Sequence, residues 1–172
     1  GNLFPKLLEL GELRIEPFSE KCIGNICYYL HFNNRFMRPL SQPLIDLSSK
    51  ESVNQAYDAY IEVEDHYIIE PGKSVIAQTY EKLGISNRLI AKLENTTTLG
   101  RVFLNHASHG YLHPGHGIKE PFRPMIEITN LNESPMKIHA AQMVNDEVVG
   151  TEAFRMYVEK LPYPAEDYKS IS

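Results

Sequence analysis

Two cysteines, Cys22 and Cys27, are all that 172 residues carry. That is too few for a disulfide framework, and the expectation is a reduced, cytoplasmic protein. No apolar run approaches the roughly 18 residues of a membrane-spanning helix, so no membrane association is expected. Charge of one sign is also scarce. The formal net charge of -5 is spread along the chain, without the basic face a nucleic-acid binder shows. A small phosphorylated ligand stays open, because a pocket needs only a few local cations. There is no Walker loop, dinucleotide fingerprint, serine-hydrolase elbow or Cys-x-x-Cys. Internal repeats, heptads and low-complexity tracts are missing too. What is present is an ordinary globular composition, 42% apolar, of a length that reads as one domain over residues 1–172.

Residues 3–10 suit a short helix, with Gly11 as its stop. After it come short apolar or alternating segments at roughly 8–12-residue spacing, separated by turn signals. These are 13–16, 27–32, 60–69, 74–79, 89–93, 100–104, 111–112, 125–130, 136–140 and 154–159. Residues 39–58 read as a loop with at most one helical turn. Eleven prolines and ten glycines match this turn density. The fold class is therefore all-β, a sandwich, jelly roll or barrel with a short N-terminal helix. Such a chain leaves open sheet edges, and oligomerisation is one way to cover them.

The chemistry concentrates between Leu89 and Asn130. Glu127 sits in Met125-Ile126-Glu127-Ile128-Thr129, where alternation puts Met125, Glu127 and Thr129 on one face and the two isoleucines on the other. It is either a solvent-facing carboxylate or one held partly out of water, the type that serves as general base and acid near neutral pH. Arg101 is either a surface cation or a fixed partner for a carboxylate or phosphate. Thr96, Thr97 and Thr98 are either plain β-formers or hydroxyls for phosphate oxygens. Four histidines, His106, His109, His113 and His116, crowd eleven residues. Gly110, Pro114 and Gly115 break that segment into turns, and the zinc-deaminase signature of His-x-Glu with Pro-Cys-x-x-Cys is absent. Turn or surface histidines are the better reading than a metal site.

At these residues the chain resembles the dCTP deaminases, relatives of the trimeric dUTPases. Asn95-Thr96-Thr97-Thr98-Leu99-Gly100-Arg101 is similar to the family's Gly-Arg-Ser-Ser-Leu-Ala-Arg, and Leu112-His113-Pro114-Gly115 to its Ile-Asp-Pro-Gly. Ile126-Glu127-Ile128-Thr129-Asn130 is similar to its Leu-Glu-Leu/Phe-x-Asn strand. Gly11 to Phe18, Asn34-Arg35-Phe36, Pro71 to Thr79, Pro162-Tyr163 and Lys169 extend the likeness over nearly the whole chain. The resemblance implies a distorted β jelly roll or barrel of the dUTPase-like type, assembled as a homotrimer with sites between subunits. It implies a deoxynucleoside triphosphate bound with Mg²⁺, no catalytic zinc, and deamination of the cytosine base with release of ammonia. Glu127, Arg101 and Thr97 are the catalytic positions it carries over. Thr96, Thr98, His113, Ile126, Tyr163 and Lys169 are the substrate-binding ones. The chain departs from the pattern where Thr96 replaces the first arginine, His113 replaces the aspartate at the sugar, and Tyr29 replaces a further aspartate. A dUTPase-like pyrophosphohydrolase and a catalytically degenerate nucleotide-binding relative are the alternatives.

Overall fold

Alternation of side chains sets the elements. Along Leu89–Asn95, Leu89, Ala91 and Leu93 are buried while Ile90, Lys92 and Glu94 are half-exposed, the pattern of a strand with one face on a core. The computed structural model describes residues 3–107 and 110–166. Helix α1 (Leu3–Glu9) comes first and buries Phe4 and Leu7. After it run β1 (Leu13–Glu16), a 3-10 turn at Glu20–Cys22, β2 (Tyr28–His31), β3 (Arg35–Phe36), α2 (Lys50–Asn54), β4 (Ile61–Glu62), β5 (His66–Ile69), β6 (Ser74–Gln78), β7 (Lys82–Ile85) and β8 (Leu89–Asn95). The second half holds α3 (Thr97–Arg101), β9 (Leu104–His106), β10 (Tyr111–Leu112), β11 (Met125–Asn130), β12 (Met136–His139), β13 (Gln142–Val144), β14 (Glu147–Val149) and β15 (Glu152–Lys160).

All strand pairs among these are antiparallel. One sheet runs β10-β8-β15-β2, a second β6-β11-β9, and the rest pair as β1-β7, β12-β5, β13-β14 and β3-β4. Their inner faces meet in one apolar cluster that includes Phe4, Tyr28, Phe36, Leu83, Leu89, Ile126, Ile128 and Met156. The Tyr28 hydroxyl accepts from the Ser19 N–H at 3.0 Å, and burial pushes its phenol well above the ordinary value. The architecture is a distorted, mostly-β jelly roll with a short N-terminal helix. Among the described residues the hydrogen-bonded sheets stay separate and do not close into a barrel. Both cysteines are buried and free. No helix of the described residues is long and apolar enough to cross a membrane.

Several elements differ from the expectation, β3 and β7 among them, which match none of the expected segments. The strand expected over residues 100–104 is instead the end of α3 and the start of β9. Thr96 adopts an extended conformation and its hydroxyl accepts from the Leu99 N–H, so capping wins over the β preference of threonine. The single strand expected over residues 60–69 is interrupted into β4 and β5. The β13-β14 hairpin turns on Asn145 and Asp146, both at positive φ, as a two-residue hairpin loop requires. The loop of residues 39–58 carries its single helical turn, α2, as expected.

Candidate active site

β11 fixes Glu127. It is the central strand of its sheet, paired with β6 on one side (Glu127 opposite Ile76, Thr129 opposite Ser74) and β9 on the other (Ile128 opposite His106, Asn130 opposite Leu104). Ile126 and Ile128 are buried on the core face, and burying such side chains contributes about 1.5–3 kcal/mol each. That anchors the strand and leaves Glu127 and Thr129 half-exposed on the opposite face, as the alternation predicts. The Glu127 carbonyl accepts from the Ala107 N–H at 2.9 Å. Beside it the hydroxyls of Ser74 and Thr129 are 2.7 Å apart. Glu127 lines a pocket of about 210 Å³ with Pro39, Tyr57, Ser74, Ile76 and Ala107 among its walls. A larger cleft of about 540 Å³ also touches Pro39 and Ser74. Its cations Arg38 and Lys73 are offset by Glu70 in the same wall and by Asp58, 3.1 Å from Arg38.

The threonine-arginine motif forms a second cluster. In α3, Leu99 is buried and pins the turn, whereas Thr97, Thr98 and Arg101 are exposed. Thr96 is buried and its hydroxyl is used in the helix cap. None of Thr97, Thr98 and Arg101 lines the Glu127 pocket. The register explains why. Ala107 is level with Glu127, while Leu104 is level with Asn130. Those three residues of strand span about 10 Å, and α3 lies beyond them.

The remaining positions are dispersed. Ile126 is fully buried, which leaves only its backbone for a ligand. His113 is exposed at the end of β10, at the start of a turn closed by the His116 N–H to His113 O bond of 3.0 Å. His116 stacks on Phe122, with centroids 3.9 Å apart. Burial pushes its imidazole below the ordinary value, with the nearby His113 adding to the effect. His106 is buried against Phe154 at 4.4 Å. Among the described residues no group of three or more His, Cys, Asp or Glu is placed to hold a metal, and His109 lies outside them. Tyr163 is exposed on a tail held by the Leu161 N–H to Arg88 O and Ala165 N–H to Asn87 O bonds, both 2.8 Å. Lys169 lies outside the described residues. Tyr29 is half-exposed in β2, opposite Arg155.

Sequence reasoning missed Pro39, Tyr57 and Ser74 as pocket walls. The one available signal was the Pro71-Gly72 turn, which starts β6 and so sets Ser74 beside Thr129.

Residues 3–146 match the family model described as DCD, dCTP deaminase-like. A Methanothermobacter thermautotrophicus protein named dCTP deaminase, dUMP-forming, is 27% identical over 145 residues, 81% of this chain and 71% of that protein. A Coprothermobacter proteolyticus protein of the same name is 29% identical over 146 residues, 83% of this chain and 76% of that one. Among solved structures, the 2'-deoxycytidine 5'-triphosphate deaminase of Agrobacterium tumefaciens aligns with a TM-score of 0.63 at 12% identity, covering 90% of this chain. The chain spans 46% of that protein, and at this identity the likeness speaks to the fold. The family match runs from α1 into the β13-β14 turn and takes in both β11 and α3; the chain belongs to the dCTP deaminase-like family.

Proposed function

We propose that the chain deaminates dCTP, with Glu127 as the proton-transfer group. The observation that carries this is the position of Glu127: a half-exposed carboxylate on a rigid central strand, facing a small, largely apolar pocket. Glu127 takes a proton from water, and the hydroxide adds to C4 of the cytosine ring. The carboxyl then protonates N3, takes up the proton of the new C4 hydroxyl and delivers it to the departing amine, so that the C4 carbonyl forms, one water enters and one ammonia leaves. The reading is independent of zinc: the carboxylate activates the attacking water, which zinc does in the zinc deaminases, and the sequence has no zinc-deaminase signature.

Thr97 and Arg101 hold the water and balance the charge of Glu127. Within one chain they lie a strand's length away from it. The reading therefore places them on a neighbouring protomer of a homotrimer, in a site made by two chains. Thr98, Tyr163 and Lys169 hold the phosphates, and His113 replaces the family's aspartate at the sugar with one hydrogen bond given or accepted. Mg²⁺ enters with the triphosphate, held by phosphate oxygens and water.

The names of the relatives end at dUMP, which requires a second water to release pyrophosphate from the deaminated nucleotide. Incubation with dCTP, dCMP, dUTP and CTP, scored for ammonia and pyrophosphate, tests both steps. Ammonia from dCTP is the expected result. Pyrophosphate from dUTP without ammonia from dCTP would mark a dUTPase-like enzyme. A rise in melting temperature with dCTP but no product would mark a binding relative. Glu127→Gln is expected to keep nucleotide binding and abolish ammonia release, and unchanged turnover in that variant would overturn the assignment of Glu127.

A further inference from the structure

The face that carries Glu127 continues beyond β6 into a segment that none of the family motifs touches. Met37 exchanges both backbone hydrogen bonds with Ile76, at 2.7 and 2.8 Å, and Ile76 is the partner of Glu127. Two residues along a strand return to the same face, so Pro39 falls level with Ser74, whose partner is Thr129. Tyr57 bridges Pro39 from the far side. The Leu40 N–H to Ala56 O bond of 2.7 Å and the Asp58 N–H to Arg38 O bond of 3.0 Å flank that bridge, and the Arg38–Asp58 ion pair at 3.1 Å closes it. The excursion from Leu40 to Ala56 is thus stapled at its base. Tyr57 stands at the Glu127 pocket because of this ladder, and the path of the loop beyond does not decide its place.

The pocket is small. Its 210 Å³ equals the share of about seven water molecules and lies below the roughly 300 Å³ at which sites for whole drug-sized ligands begin. That volume is enough for one six-membered heterocycle and too small for a whole nucleoside triphosphate. Its walls match a planar ring. Pro39, Ile76 and the half-open ring of Tyr57, 38% exposed, are flat or apolar, and Glu127 with the Ser74–Thr129 hydroxyl pair supplies polar groups for the ring's edge. An aromatic side chain beside a carboxylate is the pairing that stacks on a base and addresses its edge.

We propose that Tyr57 is a base-stacking residue of the Glu127 pocket and holds the pyrimidine ring against the carboxylate. The proposal rests on the deaminase reading for the identity of the ring. The test is titration calorimetry of dCTP, deoxycytidine and inorganic tripolyphosphate on the wild type, Tyr57→Phe and Tyr57→Ala, with melting temperatures for each. Tyr57→Phe keeps the ring and is expected to bind dCTP within about twofold of the wild type. Tyr57→Ala is expected to weaken dCTP and deoxycytidine by about tenfold or more, the scale of one lost base stack, while tripolyphosphate binding stays unchanged. A merely structural role for Tyr57 would lower all three ligands together, and that result overturns the proposal. Unchanged dCTP binding in Tyr57→Ala overturns it as well and leaves the deaminase reading standing. A wild type that binds none of the three ligands overturns both.

Discussion

Glu81 is fully buried, and both of its oxygens are engaged by one residue. The backbone N–H of His31 donates to one at 2.9 Å, and its Nδ1 lies 2.8 Å from the other. The Thr79 hydroxyl donates to the Glu81 carbonyl at 2.8 Å. This arrangement ties the entry of β7 to the end of β2. Removing one partner of a buried pair costs about 3–5 kcal/mol, which for a chain of this length lowers the melting temperature by about 2–4 °C per kcal/mol. Glu81→Ala is therefore expected to melt at least about 6 °C below the wild type in thermal denaturation. Glu81→Gln, which keeps one acceptor and the shape, is expected to lose less. The pair was invisible in the sequence because its members are 50 residues apart, and no local pattern marks a carboxylate that strands from two sheets enclose. Glu127 was legible for the opposite reason. Its exposure follows from period-two alternation against Ile126 and Ile128, which is a local property. Tyr57 was not legible, because its place depends on a bridge to Pro39 and on the register of Met37 with Ile76.

At the scale of elements, α3 shows how a short polar run is decided. Three consecutive threonines favour a strand by intrinsic preference, yet the chain after Thr96 is a helical turn. Three contacts outweigh the preference: the Thr96 hydroxyl caps the Leu99 N–H, the Gly100 N–H reaches the Thr96 carbonyl at 3.1 Å, and Leu99 is buried. Phe103 at φ 60 then ends the turn and sends the chain into β9. The turn keeps Thr97, Thr98 and Arg101 on an outward surface, where a strand would have divided them between two faces. Loss of an N-cap hydroxyl costs about 0.5–2 kcal/mol, and the long 3.4 Å bond points to the lower half of that range. Thr96→Ala is expected to lower the melting temperature by a few degrees, roughly 2–4 °C per kcal/mol, and Thr96→Ser to restore it. If the Ala variant melts like the wild type, the hydroxyl does not hold the turn. The long alternating strands β8, β11 and β15 were readable from period two. The three-residue strands of the β13-β14 hairpin carry no periodic signal of their own.

At the scale of the whole molecule, the two halves of the proposed site are held apart by the same β9-β11 ladder that makes each half rigid. Strand register does not shift by a fraction, and slipping β9 by one residue would turn buried Leu104 and His106 outward. On the proposed reading a second chain brings an exposed α3 to the open face of β11, and a closed ring of three copies gives every site one of each. This has a consequence that point variants alone do not show. Glu127→Gln and Arg101→Ala are each expected to be inactive as pure trimers. When the two are unfolded together at equal amounts and refolded, roughly a quarter of the sites regain both intact groups by random assortment around the ring. Ammonia release from dCTP should recover to about that fraction of wild type. Recovery from refolding the mixture, and none from either variant refolded alone, would show that the groups come from different chains. If the mixed trimers form, as seen by native mass spectrometry, and stay inactive, Glu127 and Arg101 belong to the same chain's site, and the path from α3 to β11 must then close within one protomer.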